Sequence, residues 1–393
     1  MLFEESDLLK ALPEQFFAGL VAKVNAKVAE GADVINLGQG NPDQPTYDHI
    51  VEALCTSAKN PASHKYSQFR GNRTFKEAAA SFYKKHYGVD LDSERELCVM
   101  GGAKIGLVEL PLALMNPGDL LLLPDPGYPD YLSGVSIGRV AYETFPLTAE
   151  NNFLPDLDAI PEETARRAKF IYINYPNNPT GAVATKAFYE KLVAWAKTYE
   201  VGVVSDLAYG ALGYRGYENP SFLSTPGAKD VGIEFYTFSK TFNMAGWRLA
   251  FAAGNDQMIE ALNLIQDHLF VGIFPALQEA GIAALIDPKS EEAVAQLNVT
   301  YDSRRDAFVQ AAAKIGWKAF PSKGSFYAWM PVPEGYTSES FADLLLEKAH
   351  VAVAPGKGFG SAGDAYVRIG LLVEPERLVE AVDRIADLQL FNN

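Results

Sequence analysis

Lys240 and Arg248 stand eight residues apart in Thr237-Phe238-Ser239-Lys240-Thr241-Phe242-Asn243-Met244-Ala245-Gly246-Trp247-Arg248, an amine and a guanidinium suited to carbonyl chemistry on an anionic ligand. A lysine among hydroxyls and aromatics gives up its proton more readily than one in water. Desolvation and a nearby cation both disfavour the ammonium, and the free amine attacks carbonyls. Arg248 can be that cation while its planar fork grips a phosphate. The apolar runs on either side, residues 232–238 and 248–253, read as buried strands, which places Lys240 on a loop between strands.

Other polar residues fall just past further predicted strands. Residues 34–37 lead into Gly38-Gln39-Gly40-Asn41-Pro42-Asp43. Its two glycines imitate half of a dinucleotide fingerprint, but Pro42 and Pro45 forbid the helix that should follow, so a loop meeting a ligand through its backbone is expected. Residues 96–100 form a short strand, after which Gly101-Gly102-Ala103-Lys104 opens an apolar helix. The unpaired N–H groups and positive dipole of such a start suit an anion. Strands at 169–174, 201–205 and 233 deliver Asn174-Tyr175-Pro176-Asn177-Asn178-Pro179-Thr180-Gly181, then Asp206 with Tyr209, then Ser239-Lys240. Asn, Asp, Tyr and Lys thus converge on one rim.

Strands at 120–123, 140–145 and 248 complete a set of seven, interleaved with helices near 127–137, 185–199 and 256–272. Such alternation predicts one mainly parallel sheet covered on both faces, with ligands at the carboxyl ends of its strands. Before it come a helix over 8–30, broken at its start by Pro13, and helices over 47–58 and 74–87, the last two separated by the aromatic and basic loop 64–71. Beyond about residue 285 the texture changes. A long amphipathic helix at 289–315 precedes apolar segments at 317–320, 325–329, 351–354 and 366–370, which read as a second, α+β domain.

The composition is that of an ordinary globular protein, 48% hydrophobic and 21% charged, and its balance of 34 basic against 49 acidic residues gives a net charge of −15. That acidity argues against a nucleic-acid surface or an anionic membrane as partner. The N-terminus lacks the basic start and apolar core of a secretory signal, and no apolar run approaches the ~18 residues of a membrane span, so a cytoplasmic location is expected. Cys55 and Cys98 read as small buried fillers, and no metal-type spacing of Cys or His appears.

In order and spacing, Asn177-Asn178-Pro179-Thr180-Gly181, Asp206 with Tyr209, Ser239-Lys240 with Gly246-Trp247-Arg248, and Arg368 resemble the class I/II aminotransferases, fold type I enzymes that use pyridoxal 5′-phosphate (PLP). The resemblance runs from residue 37 to Arg368. It implies an α/β fold, with a large cofactor-binding domain over 48–285 and a smaller one formed by 1–47 and 286–393. It also implies that Lys240 joins PLP through its amine and shuttles the substrate proton. Asp206 would pair with the pyridine nitrogen and keep the ring an electron sink. Tyr209 and Asn178 would donate to the ring's 3-oxygen, and Tyr128 would stack on its face. Gly102, Ala103, Lys104, Thr237, Ser239 and Arg248 would hold the phosphate, with Tyr66 reaching across from a second copy, which implies a homodimer with shared active sites. Many relatives carry a hydroxyl near 102 or 103 where this chain has Gly and Ala, so main-chain N–H groups must do more there. Arg368 would clamp the substrate α-carboxylate beside Asn178 and the Gly40 backbone. No metal is required.

The substrates implied are an L-amino acid and a 2-oxo acid, exchanged in a ping-pong cycle. Aspartate would need a second cation, for which only Lys65, Arg70 and Lys357 lie on suitable loops, whereas Phe16, Phe17 and Tyr66 suggest an apolar mouth. At a closer level Gln15-Phe16-Phe17-Ala18, residues 38–45 and residues 124–131 resemble the methionine-salvage aminotransferases of bacilli, which convert 2-oxo-4-methylthiobutanoate to methionine. A C–S β-lyase could use the same Lys, Asp and Arg, and a PLP-sensing regulator is a third reading, although the N-terminus has room for only one helix instead of a DNA-binding domain.

Overall fold

The structure is a computed structural model that describes residues 3–391. A two-residue strand, β1 (Ile35–Asn36), comes first in the chain, and seven strands then build the central sheet: β2 (Leu97–Met100), β3 (Leu120–Asp125), β4 (Ala141–Pro146), β5 (Ala168–Asn174), β6 (Gly202–Leu207), β7 (Gly232–Thr237) and β8 (Ala250–Gly254). Their order is β2-β8-β7-β6-β5-β3-β4. All neighbours from β7 to β4 run parallel, and β8 alone runs antiparallel to both of its neighbours, β7 and β2. Helices cover both faces, which is why β3 and β7 are buried along their whole length while the edge strand β4 is mostly exposed. The α/β expectation and its seven strands hold.

After the long helix Pro288–Lys314, β9 (Tyr327–Pro331), β11 (Ala354–Pro355) and β12 (Tyr366–Gly370) form an antiparallel sheet with β12 in the middle, and β10 (Val351–Ala352) pairs with β1. A separate apolar core, including Leu37, Phe308, Trp317 and Val351, lies beneath these strands. The expected segment at 317–320 forms no strand; only Phe320 N–H bonds to the Trp329 carbonyl.

Other differences have local causes. Pro13 divides the first helix into Asp7–Lys10 and Phe16–Ala29, since a proline disfavours helical geometry in the residue before it. The helix expected from 127 begins at Tyr131, after the Pro126-Gly127-Tyr128-Pro129 turn. Pro275–Ile286 is a helix without a sequence-level counterpart, because apart from Gln278 and Glu279 it is apolar or small throughout and shows no helical period. Cys98 is buried as expected, but Cys55 is exposed on the helix Asp48–Ala58 and fills nothing. No described helix is long and apolar enough to cross a membrane.

Candidate active site

The carboxyl ends of β5, β6 and β7, together with the start of the helix Ala103–Leu114, enclose a cleft of about 300 Å³. Register aligns Asn174 of β5 with Asp206 of β6. Asn174 acts as a strut, donating to the Asp206 carbonyl at 2.7 Å and accepting from the Asn178 N–H at 2.7 Å. Asp206 is buried, and its Oδ2 accepts from the Tyr131 hydroxyl at 2.9 Å, whereas Oδ1 is enclosed without a partner. Burial pushes the Asp206 carboxyl up to about 6, with the Tyr131 hydrogen bond and the Lys240 charge restraining the rise.

Lys240 sits on a four-residue helix, Phe238–Thr241, not on the expected loop, because Thr237 caps that turn by accepting from the Ser239 N–H at 3.3 Å. Its Nζ donates to the Gly40 carbonyl at 2.8 Å. The loop bearing Gly40 is held from two sides. Thr46 and Tyr47 donate to the carbonyls of Asn243 and Thr241, and the buried Arg304 makes two 2.8 Å bonds to Asp43. Burial, then the charges of Arg368 and Arg248, lower the Lys240 ammonium to about 8, against the pull of Asp206. The neutral amine is the attacking form. Capture of PLP by cofactor-free protein is therefore expected to quicken about tenfold per pH unit up to about 8 and to level off above it, read from the absorbance of the bound cofactor. A capture rate still climbing at pH 10 would show that the amine is not activated.

Arg368, in the middle strand of its sheet, is 1% exposed and has no carboxylate partner among the described residues. Nη1 donates to Asn178 Oδ1 at 2.9 Å and Nη2 to the Gly38 carbonyl at 2.9 Å, while Nε is buried and unpartnered. Three rings surround the guanidinium: Tyr327, Phe359 and Phe17, at 4.2, 4.8 and 5.2 Å from its carbon to their centroids. A buried cation without a counter-ion is costly, so the place is suited to an incoming carboxylate. Because Asn178 accepts from Arg368 through its oxygen, its amide nitrogen is left to donate elsewhere.

At the other end of the cleft, Ala103, Lys104, Thr237, Ser239 and Arg248 line the wall. Gly102 precedes them at φ +106°, and a Cβ there would meet the Arg248 guanidinium. This explains the missing hydroxyl at 102: the space belongs to Arg248. The Lys104 ammonium is paired with Asp130 at 2.8 Å. Tyr128 lines the cleft and donates to Asp130. Tyr209 also lines the cleft, and its hydroxyl lies 3.2 Å from that of Tyr327.

Tyr66 is absent from this assembly. It is 89% exposed and lies outside the cleft of its own chain. Phe17 reaches the cleft, while Phe16 packs behind it on Phe359. Of the three candidate second cations, Arg70 is committed to Glu260 and Asp267, Lys357 is exposed beside Glu339, and Lys65 is exposed; none lines the cleft. Tyr131 and Tyr327 were not singled out as site residues, since a tyrosine in an apolar run carries no sign of whether it faces core or ligand. No cluster of metal-ligating side chains occurs among the described residues.

Comparison with known proteins identifies the family. The profile of the family Aminotransferase class I and II matches residues 32–385. The L-glutamine–4-(methylsulfanyl)-2-oxobutanoate aminotransferase of Bacillus subtilis is 58% identical over 391 residues, covering 100% of this chain and 98% of the relative. The LL-diaminopimelate aminotransferase of Aquifex aeolicus is 47% identical, covering 99% and 100%. Among solved structures, substrate-bound BacF from Bacillus subtilis superposes with a TM-score of 0.94 at 48% identity, covering 100% of this chain and 99% of that one.

Proposed function

The chain belongs to the class I and II aminotransferases, PLP-dependent enzymes, and from that premise we propose that it aminates 2-oxo-4-methylthiobutanoate to methionine. The observation that carries this choice of substrate is the cleft wall around Arg368. Phe17 lies there, and among the described residues of this chain the cleft lining offers no cation besides Lys240, Arg248 and the Asp130-paired Lys104 for a distal carboxylate. An apolar thioether fits such a wall, and an aspartate side chain does not. The full-length relative named for this oxo acid supports the same reading. LL-diaminopimelate, the substrate class of another close relative, is the second reading.

The residues present fit the cofactor. The unpartnered, buried Oδ1 of Asp206 suits a protonated ring nitrogen, and the free Asn178 amide and the Tyr209 hydroxyl suit an anionic ring oxygen. The helix start at Ala103, the Thr237 and Ser239 hydroxyls and Arg248 suit a phosphate. When bound, PLP supplies the electron sink for the α-carbon. Lys240 then holds and moves the proton there, and Arg368 with Asn178 orients the substrate carboxylate.

Tyr66 completes the phosphate site of a second copy in this reading. Tyr66, Phe69, Val271 and Phe274 are all exposed, and Ser67 donates to the Val271 carbonyl, so the two segments that carry these apolar side chains lie side by side where a partner would cover them. The same reading divides the chain into 48–285 and the remainder, so that closure brings Gly40 and Arg368 toward the cofactor. The test is an amino-donor panel on the purified holoenzyme: without any oxo acid, methionine and glutamine should convert the cofactor band faster than aspartate or LL-diaminopimelate. A strong preference for LL-diaminopimelate would transfer the assignment to the second reading.

A further inference from the structure

Tyr327, the first residue of β9, is 1% exposed and touches three parts of the cleft at once. Its hydroxyl lies 3.2 Å from that of Tyr209, and its ring is the nearest of the three around Arg368. A Cβ on Gly40 would come within 2.5 Å of its hydroxyl oxygen. Among the described residues neither hydroxyl has any other hydrogen-bond partner.

A phenol carries one proton. If Tyr209 spends its proton on the cofactor's 3-oxygen, the bond between the two tyrosines can only be made by the proton of Tyr327. We infer that Tyr327 is a positioning residue for both ligands of the site, its hydroxyl donating to Tyr209 and its ring seating the Arg368 guanidinium. The inference rests on the reading of Tyr209 as the 3-oxygen donor. Burial pushes the Tyr209 hydroxyl well up, so it stays neutral and keeps its proton to give. Two hydroxyls donating in series toward an anion polarise one another, strengthening the terminal bond by about 10–30%. A stronger bond draws charge from the 3-oxygen and lowers the proton affinity of the Lys240 nitrogen joined to the ring.

The experiment is a pH titration of the cofactor absorbance in the substrate-free holoenzyme, for Y209F, Y327F and Y327L, with KM for methionine measured alongside. Y209F should raise the titration midpoint, and Y327F should raise it in the same direction by about a tenth to a third as much. Y327L, which also removes the ring beneath Arg368, should raise KM on the order of tenfold beyond Y327F. If Y209F moves the midpoint and Y327F leaves it alone or lowers it, the donor role is wrong, and a rise in KM without that movement would make the hydroxyl a direct substrate contact. Equal KM values for Y327F and Y327L would remove the seating role. No movement even in Y209F would overturn the Tyr209 reading on which the inference stands.

Discussion

A Lys240→Ala chain is expected to lose transamination by about 10⁴-fold or more, because in the proposed mechanism one side chain supplies both the covalent nucleophile and the proton carrier. The structure shows why no neighbour substitutes. Arg368 and Arg248 carry guanidinium groups, which offer donors but no lone pair for a proton or a carbonyl carbon, and Lys104 is tied to Asp130. Stopped-flow observation of one half-reaction with methionine gives the rate, and turnover within tenfold of the parent would remove Lys240 from the centre of the site. The same variant examines the proposed sharing of the site between two copies. Co-expressed with a Tyr66→Leu chain, it should regain activity, since one cleft of the mixed dimer then keeps its own Lys240 and the Tyr66 of its neighbour. Full activity of the Tyr66→Leu chain by itself would leave Tyr66 without a role, and silence of the mixed dimer would assign Tyr66 to the cleft of its own chain.

The second large effect is at Asp206. Asp206→Asn keeps the shape and can still accept from Tyr131, yet removes the charge facing the ring nitrogen. Loss of one preorganised electrostatic group of this kind costs roughly 10²–10³-fold in kcat. The unpartnered Oδ1, enclosed at the end of β6, is what distinguishes this from an ordinary capped strand end. Single-turnover rates at saturating PLP separate slow chemistry from weak cofactor binding. A fall of less than threefold would mean that the carboxylate serves structure alone.

How much of this was legible in sequence follows from what each signal measures. The sheet strands were readable because parallel strands buried on both faces are continuous apolar runs, and the polar residues ending those runs were therefore conspicuous. Lys240, Asp206, Asn178 and Arg368 do meet in one cleft, although Arg368 is 128 residues beyond Lys240 in sequence. The helix Pro275–Ile286 was hidden because small and apolar residues fill nearly every position, which erases the amphipathic period although Glu279 and Ile286 are exposed. The turn of helix at Lys240 depends on a single threonine cap, too local for any periodicity. The destination of Lys104 was open because Asp130 lies 26 residues away and only the fold brings it near. Tyr327 was hidden for a related reason: its hydroxyl partner comes from another strand end.

The direction of β8 has a consequence for how such an enzyme can change. Because β8 turns back antiparallel beside β7, Lys240 and Arg248 both belong to the one connection between those strands, and with Asp206 on the adjacent β6 they form a unit tied to the sheet. Phe17, Gly40, Tyr327 and Arg368 come instead from distant stretches outside that sheet. Drift or design can thus alter which amino acid is selected through substitutions far in sequence from the chemistry, whereas any insertion between Lys240 and Arg248 would separate the two residues proposed to anchor the cofactor and strike every substrate alike.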